Sequence, residues 1–453
     1  MYTNAQSSVL TVALTFFVLG AGRAAAQPAA SEVHQPHDPP SSAAGGDDAA
    51  QQHDMQHMQM EHGDHMWMPP TRDGSGTSWL PDDTPMYALH AQAGPWTLMA
   101  HGSVFFHYLY ESGDRGSDQA GSVNWFMGMA GRSVGAGHLR LRAMMSLEPW
   151  TVRGCGYPDL LASGEVCEGE AIHDRQHPHD LFMELAATYD RPLAGDVRLE
   201  LYGGPVGEPA LGPTAFSHRI SAMPSPIAPI THHWFDSTHI AYGVVTGGLY
   251  GKVWKTEASV FNGREPDENR TNFDFGALDS WSGRVWFLPT SRWALQVSAG
   301  RLTEAEESHE GGPRIDVTRG TASATYHRLL REGSIWASTV GWSRNQEQGS
   351  DATHAWLAET NVTFDERDTW FGRVEVSGKT GHDLGIESTD VFTVAKFEGG
   401  YTRFFRASAG LKPGVGAIVS ASVVPESLTS LYGNRVNFGF GVFVTLRPAQ
   451  LKM

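Results

Sequence analysis

Residues 436–447, VNFGFGVFVTLR, alternate without a break. Val436, Phe438, Phe440, Val442, Val444 and Leu446 fall on one parity, and Asn437, Gly439, Gly441, Phe443, Thr445 and Arg447 on the other. A period of two is strand geometry, because successive side chains leave opposite faces of the backbone. This strand therefore has one apolar face and one small or polar face, and separates two different media. The pattern recurs upstream. Leu139, Leu141, Ala143, Met145 and Leu147 alternate with Arg140, Arg142, Met144, Ser146 and Glu148. Val197, Leu199 and Leu201 alternate with Arg198, Glu200 and Tyr202, and Trp293, Leu295, Val297 and Ala299 with Ala294, Gln296, Ser298 and Gly300.

Alternation suits a soluble sandwich as well as a membrane barrel, so the connections decide. Strands are expected near 96–110, 122–131, 137–149, 180–190, 196–204, 237–248, 252–261 and 279–288. They continue near 292–302, 315–329, 333–343, 353–364, 369–378, 390–404, 407–423 and 435–447. Long loops such as 150–179, 205–236, 262–278 and 303–314 follow the odd strands. Tight turns such as Arg191–Gly195, Pro289–Arg292, Leu330–Gly333 and Asp365–Asp368 follow the even ones. That parity predicts an all-β fold, a transmembrane antiparallel up-and-down β-barrel of about sixteen strands with its turns facing the periplasm. Trp254, Trp293, Trp336 and Trp370 lie just after tight turns, and Trp286 just before one, where an aromatic girdle belongs.

The bulk numbers agree. The chain has 453 residues, only 18% of them charged, with 51 glycines and 10% aromatics. Its mean hydropathy of −0.30 is too polar for a helical bundle in a membrane, whereas a barrel needs only every second residue apolar. A net charge of −17 argues against a nucleic-acid partner, whose phosphates reward a basic face. The expected partners are outer-membrane lipid and small polar solutes or metal ions.

Residues 1–26 read as a secretory signal, with Val9–Gly22 as the apolar core and Ala24-Ala25-Ala26 as the cleavage site, although MYTNAQSS ahead of it has no Lys or Arg. A lone membrane anchor is the alternative, but the core is short for spanning. Residues 27–95 have the composition of a disordered, periplasmic, His/Met-rich segment, and 96–453 that of the barrel. Cys155 and Cys167, a close pair in an exported chain, are expected to form a local disulfide on the outer side.

On the polar faces, Arg140, Arg142, Arg198, Glu200, Lys255, Glu257, Arg284, Arg373, Glu375 and Lys396 are expected to line the lumen, with Glu148 and Glu398. Opposed charges there set up either a transverse field across water or a paired network that plugs the barrel. Sixteen strands normally enclose an aqueous channel, which favours the first. The sharpest chemical signal is HDMQHMQMEHGDHMWM, residues 53–68, with His53, His57, His62 and His65 among Met55, Met58, Met60, Met66 and Met68. Thioether with imidazole suits Cu(I), and imidazole alone takes Cu(II), Zn or Ni. A plain hydrophilic spacer is the alternative. No cofactor is required, and copper ions are a candidate ligand of the tract.

A second set, His173, His177, His179, His218, His232, His233 and His239, falls in the two longest loops. It can form a metal site or a constriction, with Asp174, Asp180 and Asp236 orienting the rings; solvated or packing histidines are the alternative. No nucleophile motif stands out, and the chain is not expected to be an enzyme. Ser217-His218 leaves a barrel-embedded hydrolase acting on lipid as the other function class. The exported Met/His tract ahead of a barrel resembles the layout of the copper resistance protein B family, which implies copper handling through the tract's His and Met. Residues 96–447 resemble a Gram-negative porin-type barrel, which implies an outer-membrane channel.

Overall fold

The computed structural model describes residues 68–306, 314–331 and 333–450. The expected signal segment 1–26 and the tract residues His53 to Met66 lie outside the described residues.

Sixteen antiparallel strands close on themselves. The first eight are Trp96–Glu111, Asp118–Val134, Gly137–Met145, Phe182–Ala194, Val197–Gly207, Ala241–Tyr250, Trp254–Phe261 and Ser280–Thr290. Trp293–Glu306, Ile315–Arg331, Ser334–Glu347, Thr353–Phe364, Asp368–Lys379, Phe392–Phe404, Leu411–Val423 and Val436–Pro448 complete the set. Each pairs with its neighbours in sequence, and the last pairs with the first, Gly439 opposite Glu111 and Leu446 opposite Val104. Because the number is even, residue 96 and the expected tight turns, 191–195 and 289–292 among them, share one end. A short extra strand, Leu89–Ala93, hangs on the edge of the first.

The parity of the opening stretch holds around the barrel. Phe106, Trp281, Val297, Trp356, Val419 and Phe438 point outward and are exposed, making an apolar belt of the kind a bilayer rewards. Trp254, Trp293 and Trp370 are exposed at strand starts, as a girdle requires. Trp286 is a correction. It shares parity with Arg284, so it turns inward, is buried, and donates its Nε1–H to Glu257 Oε1 at 3.2 Å.

Three segments fold into the barrel rather than away from it. Loop 208–240 is almost wholly buried, and Ile220 packs on Ile335 and Ala337 near the turn end of their strand. The hairpin Tyr157–Cys167 with Glu170–Gln176 covers the loop-side mouth, where Lys396 reaches Asp159 at 2.6 Å. The Cys155–Cys167 disulfide is present there, its Cα atoms 5.9 Å apart.

The third insert corrects the expected boundary at 95. Residues 68–88 are ordered and form a plug entered from the turn side. Arg72 clamps Asp82 with two bonds of 2.6 and 2.7 Å and donates to the carbonyl of Lys252, in a tight turn, at 2.7 Å. Trp79 is 1% exposed, edge-on to Tyr250 at 5.8 Å. The segment has no strand or helix periodicity of its own. Its order comes from partners that the barrel wall supplies, which composition does not reveal.

A filled lumen and its histidine cluster

The charged side chains expected in the lumen all face it, but they pair instead of facing each other across water. Lys255 sits between Glu200 at 2.5 Å and Glu257 at 3.3 Å, and Arg284 holds Glu257 at 2.9 Å. Arg373 joins Glu375 and Glu398, each at 3.0 Å. Lys396 adds Glu111 at 2.8 Å, and Arg198 holds Asp190 at 2.5 Å. Arg140 binds Asp73 of the plug, while Arg142 donates to the carbonyl of Gly76 at 2.5 Å. Thr77 receives Lys255 on its carbonyl at 2.6 Å and Arg284 on its hydroxyl at 3.0 Å. The paired, plugging alternative is what the residues form. The reason is geometric: the inserts bring backbone carbonyls and acids into the lumen, and a buried charge without a partner is far costlier than a paired one.

Loop 208–240 is anchored to the opposite wall. Arg219 donates to Glu359 at 2.7 Å and to Asp236 at 2.6 Å. Thr231 donates to Glu375 at 2.7 Å, and Arg373 to the carbonyls of Ile227 and Ala228, each at 3.0 Å. Loop and plug meet where Ala215 N–H donates to Ser75 Oγ at 2.9 Å.

Around Asp236 the structure gathers most of the loop histidines. Ring centroids are 5.0 Å apart for His232–His239, 5.3 Å for His179–His239 and 5.7 Å for His232–His233. His177 lies 6.2 Å from His233. Four of these rings are oriented through Nδ1. His232 bonds Asp236 Oδ1 at 2.8 Å, His239 the Asp236 carbonyl at 2.8 Å, His179 Glu148 at 2.9 Å and His233 Glu265 at 3.3 Å. The Nε2 atoms of His179, His233 and His239 are buried with no hydrogen-bond partner. This is how a protein orients imidazoles that present Nε2 to a metal. Among the described residues, however, no three histidine or carboxylate donors converge on one point.

Burial would raise Asp236, but the Arg219 charge and the His232 bond overcome it and hold the carboxyl well below its usual range. Burial pushes His218 and His239 well below an ordinary histidine, so both are neutral. His179 is the exception. Burial lowers it, yet Glu148 wins and its pKa is raised.

Other expected residues fall elsewhere. His173 lies by the Asp383 carbonyl at 3.4 Å, apart from the cluster. Asp174 pairs with Arg115 and Asp180 with Arg270, so of the expected orienting acids only Asp236 acts on a ring. Met68, the last tract residue, packs with Trp79, Trp286 and Leu288, an apolar setting rather than a free ligand. Ser217 Oγ is buried without a base to accept its proton. The sequence reading missed Glu148 and Glu265 as orienting groups and His101 as a neighbour of His218, at 5.5 Å between rings. It also missed a signal that was present: Met144 lies on the Arg140–Arg142 face, and thioethers on a polar face call for an account.

No protein family model matches the chain, and no curated protein matches it. Among solved structures, it is similar to OmpF of Salmonella typhi in complex with daunomycin, at 9% identity and a TM-score of 0.49, covering 79% of this chain and 100% of that one. It is also similar to an anion-selective porin from Comamonas acidovorans, at 10% identity and 0.46, covering 78% and 99%. The outer-membrane channel DcaP of Acinetobacter baumannii gives 9% and 0.43, covering 80% and 100%. The barrel architecture rests on the chain's own closed strand pairing.

Proposed function

We propose that the protein is an outer-membrane barrel, closed to ordinary solutes by its own inserts, that handles small metal cations. The carrying observation is the lumen. Sixteen strands would enclose an aqueous channel, but here plug and loop occupy it among the described residues, and two of the spaces between them carry imidazole and thioether groups in their lining. The apolar outer belt supports residence in a bilayer. The His/Met tract of residues 53–66, on the same chain, supports copper as the cation.

Planar-bilayer recording of the purified protein tests the reading. The expected result is conductance steps far below those of an open sixteen-strand pore, with a reversal potential favouring cations. Large, steady, unselective steps would contradict it.

A further inference from the structure

Between strand Gly137–Met145, the start of strand Phe182–Ala194 and loop 208–240 lies a cavity with about 10 Å³ of free space. Met144, Met183, His218 and His239 line it, with Glu184 and Glu208 beside them. All four of the first group are buried. The Nε2 atoms of His218 and His239 are buried without a hydrogen-bond partner. His239 Nδ1 meets a carbonyl, which only accepts, so Nδ1 carries the proton and Nε2 keeps its lone pair. The space suits one particle the size of a water molecule or a bare ion.

We infer that this cavity binds a soft monovalent cation, Cu(I), through the thioethers of Met144 and Met183 and the Nε2 atoms of His218 and His239. The inference rests on the cation-handling reading above and names its ion and its site. Thioethers select Cu(I) over Zn or Cu(II), which prefer nitrogen and oxygen donors. Glu184 and Glu208 place carboxyl oxygens beside the incoming ion. His218 also lines a second cavity, of about 80 Å³, together with Met99, His101, Met127, Met129 and Met223. There His101 Nε2 lies 2.9 Å from Met127 Sδ. The site thus stands between a thioether-lined space beside the plug and the histidine cluster around Asp236.

The opposing account is that these methionines only fill gaps, a common use of a flexible side chain. The test uses the full chain with its tract silenced by Met→Leu and His→Asn changes at residues 53–66. It is titrated anaerobically with Cu(I) against a chromogenic Cu(I) chelator. The expected result is one Cu(I) equivalent retained. Met144→Leu with Met183→Leu preserves volume and hydrophobicity, and should weaken that equivalent by more than the roughly 10–100-fold that loss of an orienting partner costs. His218→Gln should weaken it too, while heat-modified gel mobility reports an intact barrel. No retained equivalent, or equal affinity in the methionine pair variant, overturns the site. A large open conductance with copper still retained would instead sink the closed-barrel reading and leave the site standing.

Discussion

Trp79→Ala should open the barrel. The ring is buried between Tyr250, Trp286 and Leu288, with the Arg72 guanidinium 4.8 Å from its centroid and the Lys255 ammonium at 5.6 Å. Truncating a buried Trp costs about 3–5 kcal/mol. The plug has no regular sheet of its own to absorb that loss, so the cost falls on its docking. At 1.4 kcal/mol per tenfold, the undocked fraction rises by roughly 100-fold or more. A Ser78→Cys probe reads this directly, because Ser78 is buried beside Trp79. Maleimide should label it slowly in the parent and rapidly in the Trp79→Ala background, with larger conductance steps appearing in parallel. Equal labelling rates would mean that the plug is not held by this ring.

The second large effect belongs to Arg219. Its guanidinium is buried against Glu359 and Asp236 and also donates to the Thr214 carbonyl at 2.8 Å. Arg219→Met leaves two acids buried without their cation, and breaking such a pair costs about 3–5 kcal/mol. Adding Glu359→Leu removes one orphaned charge and should recover part of the loss, since apolar replacement of a whole buried pair is often neutral. Urea midpoints in vesicles check both variants; a single variant within about 1 kcal/mol of the parent, the range of surface pairs, would contradict the account. The pH sign follows from Asp236. Its pKa is depressed in the folded state, so its contribution is complete above the ordinary carboxylate range and is lost only as pH falls through the depressed value. In Arg219→Met the loss should begin at higher pH.

The wall of this molecule was legible and its filling was not. Period-two alternation in 436–447 and 139–148 gave each residue a face, and the loop–turn parity gave a closed barrel with both ends on one side. Those signals are local, so they survive in a single sequence. The same parity rule, applied to Trp286, would have turned it inward with Arg284. Residues 68–88 were unreadable because their order depends on Arg140, Arg142, Lys255 and Arg284, far away in the chain. The histidines were named, and the structure brings His177, His179, His232, His233 and His239 together. Which acids orient them depends on how the two longest loops fold into the lumen, and spacing carries none of that. Met144 and Met183 were passed over because a methionine in a strand reads as core by default.

On the proposed reading, the inserts keep ordinary solutes out of a sixteen-strand lumen. Swelling of proteoliposomes in an isotonic sugar solution tests it most directly. Vesicles carrying the parent protein should keep their volume, while those carrying Trp79→Ala should swell. Swelling with the parent at the rate of an open pore would contradict it.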